Sequence, residues 1–353
     1  MDEGAREGAY ARAGVDVAKV RAIQGSLAAV LASTFRTRRG KFGKPALAIG
    51  HYGGLIDIGG GRLLSLHTDG VGTKVLLAQE MRKFDTVGID CVAMTVNDLI
   101  CLGSEPVALL DYMALEREDD ALVAQLSRGL VAGAQDAGAA IVGGETAIVG
   151  DLLKGVDGYG FDLVSMGVGV VKAASLVDGG SIRAGDAVVG VASSGLHSNG
   201  YTLARRIVKG MPMDEPVEEL GETLGEALLK PTRIYVRPTL RALKRREVHG
   251  IAHITGGAFA KLTRLVGERR LEFSIELPAG GAPPIFGLLQ REGRLSDSEM
   301  LSTFNMGVGL CVVAPPAEAE ALVRDYRRAG FEAGRVGTVK RGRGVVVGAT
   351  RVA

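Results

Sequence analysis

Tryptophan is absent from this chain, and cysteine occurs only three times in 353 residues, at Cys91, Cys101 and Cys311. Three scattered cysteines cannot supply a disulfide framework or a zinc-binding pattern. Cys91 and Cys101 lie in an apolar run, where a small core residue is the plain reading. An excess of one charge is lacking too: Lys plus Arg number 42 and Asp plus Glu 40. A chain so close to neutrality has no electrostatic footprint for duplex nucleic acid, so cations that meet an anionic ligand must be placed locally. No apolar run is long enough to span a bilayer. The first residues, with Asp2, Glu3, Arg6 and Glu7, lack the apolar stretch of a signal peptide. Together these absences lead us to expect a cytoplasmic protein with no nucleic-acid and no membrane partner.

Glycine is abundant, at 52 residues, and apolar residues make up 46% of the chain. The glycines punctuate apolar runs, so a sizeable core is expected, and the length suggests two domains. A helix is expected over Val17–Ala32, then a basic connection over residues 36–44. One pattern recurs after that: an apolar strand, a glycine-rich turn and an amphipathic helix. Strand 63–66 runs into His67-Thr68-Asp69-Gly70-Val71-Gly72-Thr73-Lys74, with a helix to about residue 82. A helix over 119–137, stopped by Gly138, precedes strand 141–142 and a turn at Gly143-Gly144-Glu145-Thr146. Residues 161–171 read as a long strand. The chain becomes polar and glycine-bearing over 172–185, which places the expected boundary between domains 1–172 and 173–353. Strand 187–192 leads into Ser193-Ser194-Gly195-Leu196-His197-Ser198-Asn199-Gly200 and a helix to about 208. The charge-rich segment 205–229 reads as a variable surface region. Strand 251–254 leads into Thr255-Gly256-Gly257 and a helix, and strand 306–313 precedes an amphipathic helix over 317–329. Strands and helices alternate throughout, which indicates a mixed α/β (α+β) protein.

Three constellations in the first half carry carboxylates. Gly70 and Gly72 would let backbone N–H groups approach an anion beside a helix start, with Lys74 available to a phosphate. The spacing is not that of a Walker loop. The plainer reading is a turn capped by Asp69, with Lys74 in solvent. In the run from Gly88 to Leu99, a helix puts Asp90 and Asn97 on one face with Asp98 beside them. Polar groups in such an apolar segment need either a hard cation or internal hydrogen bonds. Glu145 sits at a strand end, where a cap is the commoner role. His197 lies among small polar residues, either as a ligand-binding or acid–base group or as a histidine bonded to its own turn. Thr255-Gly256-Gly257 has the form of a second anion cradle. His51, His67, His249 and His253 show no metal-ligand spacing.

In this order the segments resemble one family, the aminoimidazole ribonucleotide synthetases (phosphoribosylformylglycinamidine cyclo-ligases). Ala13-Gly14-Val15-Asp16 and Pro231-Thr232-Arg233-Ile234-Tyr235 fit the same series, so the resemblance covers essentially the whole chain. It implies a two-domain fold whose N-terminal, ATP-binding domains pair their sheets into a barrel across a homodimer. It also implies ATP-dependent cyclisation of formylglycinamidine ribonucleotide, by phosphorylation of the formyl oxygen and attack of the amidine nitrogen, with Mg2+ on the ATP. Carried over residue by residue, Asp69, Asp98 and Glu145 would hold the metal. Gly53, Gly54, Gly70, Gly72, Lys74, Asn97, Gly144, Glu145 and Thr146 would surround the nucleotide. Ser194, His197, Asn199, Thr255, Gly256 and Gly257 would face the ribonucleotide. His197, Asp69 and Asp98 are the catalytic candidates. The segment Gly50-His51-Tyr52-Gly53-Gly54-Leu55 departs from the family's usual Gly-Phe-Gly-Gly or Gly-Phe-Gly-Ala. The rival readings are another ATP-using relative, such as a thiamine-monophosphate kinase, and a non-catalytic nucleotide-binding assembly protein.

Overall fold

The computed structural model describes residues 17–278 and 280–353, so Ala13 to Asp16 lie outside the described residues. Helix α1 (Val17–Ala32) leads into a six-stranded sheet made of β1 (Lys44–Pro45), β2 (Gly54–Asp57), β3 (Arg62–Gly70), β4 (Glu105–Leu115), β5 (Ala140–Ile148) and β6 (Phe161–Lys172). The strand order is β1-β2-β3-β6-β4-β5. Helices α2 (Lys74–Glu80), α3 (Asp85–Ile100) and α4 (Asp120–Ala137) connect the strands. Along β6 buried residues alternate with more exposed ones, and its inward row continues in Leu109, Met113 and Leu115 of β4. α3 and α4 pack on that side. α4 is delimited by its ends, because Asp119 accepts a hydrogen bond from Leu122 N at 2.9 Å and Gly138 takes a left-handed turn at φ 74°. The opposite face and the edge strand leave apolar side chains in solvent, with Tyr112 41% and Val142 65% exposed.

The second sheet contains β7 (Ala187–Ala192), β10 (Gly250–His253), β11 (Leu271–Ile275), β12 (Val308–Ala314), β13 (Ala333–Arg341), β14 (Gly344–Val347) and β15 (Thr350–Arg351), ordered β10-β12-β7-β13-β11-β14-β15. A small hairpin, β8 (Pro216–Val217) with β9 (Glu222–Thr223), stands apart from it. Helices α5 (Tyr201–Ile207), α6 (Leu224–Leu229), α7 (Val236–Leu243), α8 (Pro284–Gly293), α9 (Asp297–Thr303) and α10 (Pro316–Arg328), with a 3-10 helix at Ala258–Leu265, surround it. β10 and β12 are buried at every position; β12 reads as an unbroken apolar run, and β10 carries one polar residue, His253, at its end. Among the described residues no helix is long and apolar enough to cross a membrane.

Three local expectations are corrected. β3 does not end at residue 66 but continues through Gly70, because its pairing with β6 is unbroken from Arg62↔Lys172 to Gly70↔Val164. Gly143-Gly144-Glu145-Thr146 is not a turn but the middle of β5, paired with Leu110–Met113 of β4. Gly144 fits there because Asp111 leans over it, and a Cβ at 144 would stand 2.5 Å from Asp111 Oδ1. Segment 205–229 is not surface throughout, since Leu224, Leu228 and Leu229 of α6 are buried in the core.

Candidate functional site

The site is built on α3. That helix is buried from Asp90 to Ile100 because it lies between the first sheet and the second domain, so its polar groups are answered by protein atoms. Asp90 Oδ2 stands 2.6 Å from Lys74 Nζ, and Asp90 Oδ1 accepts from Thr232 N at 2.7 Å and Thr232 Oγ1 at 2.6 Å. Lys74 Nζ also donates to the carbonyls of Lys230 at 2.7 Å and His197 at 3.1 Å. Burial lowers the Lys74 pKa, and Asp90 opposes that shift. Two turns further on, Asn97 Nδ2 donates to the Arg233 carbonyl at 2.8 Å while Asn97 Oδ1 accepts from Tyr235 N at 2.9 Å. Asp90 and Asn97 thus share a face, but its partner is segment 231–235 of the second domain. Lys74 is wholly buried with three protein partners, so it is not the solvated side chain of the plainer reading. Asn97 engages its amide with the backbone of Arg233 and Tyr235 and lies 3.4 Å from His253 Nε2.

Asp98 is buried behind a cleft. Its Oδ1 accepts from His253 Nδ1 at 2.8 Å, and its Oδ2 lies 3.4 Å from His67 Nε2, which is 3.9 Å from Asp69 Oδ2. Burial pushes the Asp98 pKa up, but the His253 hydrogen bond and the charges of Lys261 and His67 outweigh it and hold the carboxyl at about 2. His67 Nε2 itself is buried without a hydrogen-bond partner. Above this network opens a cleft of about 750 Å³. His51, His67, Asp69 and Met94 line one side; Asn199, Thr255, Gly256, Gly257, Lys261 and Arg264 line the other; Leu27 and Leu31 of α1 form part of the rim. Burial lowers the Lys261 pKa, against the pull of Asp98 and Asp69. The sequence set His67 and His253 aside for want of metal-ligand spacing and pointed to neither Lys261 nor Arg264. They come from β3, β10 and the 3-10 helix, so no spacing links them.

The remaining candidates divide. Asn199, Thr255, Gly256 and Gly257 join Asp69 in the cleft, and the buried Thr255 Oγ1 lacks a partner. Ser194 and His197 do not line it. Ser194 Oγ donates to the Pro231 carbonyl at 2.6 Å. His197 is fully buried at φ 64°, and its Nε2 accepts from Ser194 N at 3.3 Å. Burial, reinforced by His253, Lys74 and Arg233, pushes its pKa well below the ordinary histidine value. Its ring packs 6.2 Å from Tyr235 and 6.3 Å from His253. Gly309 permits this packing, since a Cβ there would meet Tyr235 Oη at 2.0 Å. His197 therefore stands in the wall behind the cleft.

Gly53 precedes β2, Gly54 begins it, Gly70 ends β3, and Gly72 makes the turn before α2 at φ 71°. Gly144, Glu145 and Thr146 lie far from these, on the sheet's other edge. Asp69, Ser165, Asp111 and Gly144 form one row across the sheet. Glu145 is one residue on, so it projects from the opposite face to Asp69. Three strand spacings separate β3 from β5, about 14 Å at the usual spacing. Within one chain Glu145 cannot share an ion with Asp69 and Asp98, and among the described residues no three acidic, histidine or cysteine side chains form a ready metal site. Asp69 presents its carboxylate in the cleft, and Asp98, buried behind it with Oδ1 on His253, keeps Oδ2 toward the unsatisfied His67 nitrogen; carboxylate oxygens are the donors a hard divalent cation takes.

A family model for the AIR synthase related protein N-terminal domain matches residues 50–171, and one for the C-terminal domain matches residues 183–349. The chain belongs to the AIR synthase related family. Among its relatives, the phosphoribosylformylglycinamidine cyclo-ligase of Thermococcus gammatolerans is 46% identical over 334 residues, 93% of this chain and 95% of the relative. That of Pyrococcus furiosus is 43% identical over 341 residues, 96% of this chain and 97% of the relative. Solved structures share the fold at lower identity. A thiamine-monophosphate kinase from Stenotrophomonas maltophilia aligns with TM-score 0.63 at 20% identity, covering 91% of this chain and 96% of that one. T. maritima PurL complexed with ADP aligns with TM-score 0.58 at 17% identity, covering 86% of this chain and 44% of that one. In this family member both matched regions contribute walls to the cleft, Asp69 and Met94 from the first and Asn199 and Thr255 from the second.

Proposed function

We propose that the chain is an ATP-dependent cyclo-ligase that converts formylglycinamidine ribonucleotide into aminoimidazole ribonucleotide, a step of purine biosynthesis. The observation that carries this reading is near-full-length identity of 43–46% to relatives named phosphoribosylformylglycinamidine cyclo-ligase. The kinase resemblance, at 20% identity, concerns the fold alone. The formyl carbon is a poor electrophile until its oxygen accepts the γ-phosphoryl group of ATP and ADP departs. The amidine nitrogen then attacks that carbon within the same molecule, phosphate leaves with the oxygen, and a proton is released as the ring closes. Intramolecularity supplies much of the acceleration, with effective molarities of about 10⁵ M or more in well-oriented systems. The protein's part is positioning and charge placement.

The chain's own residues suit that part. Mg2+ bound with ATP would screen the triphosphate, and Asp69 and Asp98 would hold it. Lys261 and Arg264 supply positive charge in the cleft toward an anionic substrate, with Asn199 and the 255–257 turn as hydrogen-bonding neighbours. His197 positions that turn from behind. Glu145 joins the metal site only from a second copy of the chain, and the open sheet face with its exposed Tyr112 and Val142 is where the N-terminal domains of residues 1–172 would pair. The barrel, the homodimer and the nucleotide's place near the interface belong to this reading. It is tested by following ADP release with the formylglycinamidine ribonucleotide while detecting the aminoimidazole product separately. Both should appear in equal amounts. Turnover with thiamine monophosphate and none with this ribonucleotide would overturn it.

A further inference from the structure

A second cationic cleft lies on the C-terminal domain, where the turn around Arg183, the start of β11 and the loop between β13 and β14 meet. It measures about 1080 Å³ and shares no lining residue with the interdomain cleft. Five of its nine lining residues are arginines, Arg183, Arg269, Arg270, Arg341 and Arg343, and none is acidic, in a chain whose net charge is only +2. Arg269 is structural, because its guanidinium donates to the carbonyls of Gly179, Gly180, Ile182 and Leu265. Arg183 has one acid near it, Asp186 at 3.8 Å, whose Oδ2 already meets His249 Nδ1 at 2.7 Å and accepts from Arg183 N at 3.0 Å. Arg270, Arg341 and Arg343 are exposed, and none of their side chains has an ion-pair partner among the described residues. The neighbouring Glu272 is taken by Arg351 at 2.7 Å.

Like charges drawn together from three segments repel one another, and a bound polyanion would remove that repulsion. Guanidinium forks match phosphate oxygens two at a time. Among the described residues no aromatic side chain lines the cleft, so they offer no platform on which bases could stack, as a groove for single-stranded nucleic acid would. We propose that this cleft is a binding site for a small polyphosphate, recognised through its di- or triphosphate group, separate from the interdomain cleft.

Titration calorimetry of the full chain with inorganic tripolyphosphate in EDTA tests the proposal. The chelator isolates this cleft, because the interdomain site as read above surrounds phosphates with carboxylates and needs a cation. One tripolyphosphate should bind per chain, more weakly as salt rises. R341S/R343S should weaken binding at least tenfold while leaving its melting temperature and cyclo-ligase turnover near wild type. R341K/R343K, which keeps charge but loses the planar fork, should fall between them. ATP binding as tightly as tripolyphosphate in EDTA would assign recognition to the phosphates alone; tighter binding of ATP would assign the site to nucleotides. Undiminished binding by R341S/R343S, and equally by R270S should that variant fail to fold, would overturn the proposal. So would the absence of binding at millimolar ligand, or tighter binding of single-stranded RNA than of tripolyphosphate. Retained cyclo-ligase turnover in every variant separates failure here from failure of the proposed function.

Discussion

At the residue scale, the buried pair Lys74–Asp90 carries a large energetic stake. Both side chains are fully buried and 2.6 Å apart. Removing one partner strands the other charge in low dielectric, which typically costs about 3–5 kcal/mol. Asp90→Asn should therefore lower the urea midpoint sharply, and Lys74→Met with Asp90→Asn together should recover part of that loss. A single-variant change under about 1 kcal/mol would contradict the buried-pair account. His197 gives a pH prediction. Its folded pKa is depressed by burial, so the folded protein keeps it neutral while the unfolded chain protonates it below about 6.5. Its contribution to stability is complete above that value and is lost as pH falls toward the folded pKa. Asp98, held at about 2, acts only below the ordinary carboxylate range and leaves this window untouched. Urea midpoints measured at pH 8 and pH 5.5 should drop for wild type and drop less for His197→Gln. His51, also depressed by burial, leaves a residual slope in that variant.

At the scale of elements, α3 and β12 hold the wall of the cleft in place. Ile254 N donates to the Gly309 carbonyl at 2.9 Å, so β12 sets the height of the 255–257 turn. A methyl group at 309 would drive into Tyr235 Oη and, at 2.6 Å, into His197 Cε1. Gly309→Ala should cost about 1–3 kcal/mol through overpacking. Because the displaced rings stand behind the substrate-side turn, KM for the ribonucleotide should rise more than KM for ATP. Equal changes in both would show that the turn is not coupled to this wall.

At the scale of the whole molecule, the question is whether Glu145 and Asp98 meet across two copies. Asp98→Asn and Glu145→Gln should each lose most turnover and shift its magnesium dependence. If the site is shared, mixing the two inactive variants and allowing subunits to exchange restores one intact site in each heterodimer, or about a quarter of wild-type activity on random pairing. No recovery despite exchange seen by mass would place Glu145 outside the metal site. Sedimentation should give a dimer for wild type, and Val142→Asp should weaken it while the monomer stays folded.

The sequence by itself determined the recurring alternation of strands and helices, the ends of α4, the span of α1 and the strand at Ala187–Ala192, because local patterning and capping residues act within a few positions; it did not show β4 or most of the second sheet beyond β7, β10 and β12. It also determined that Asp90 and Asn97 share a face, a consequence of helical pitch alone. The motif series carried the family. What met those faces was decided by tertiary structure. The burial of Lys74 against Asp90 and segment 230–232, and of His197 behind the 255–257 turn, followed from the packing of the second domain rather than from either motif. Glu145 and Asp69 sat in similar glycine-bearing motifs, yet one residue of register and three strands place them on opposite faces of the sheet. His67, Asp98 and His253 come together from three elements separated by up to 186 positions. Such a meeting has no local signature, since the pairing that produces it is a property of the packed sheet and the domain interface.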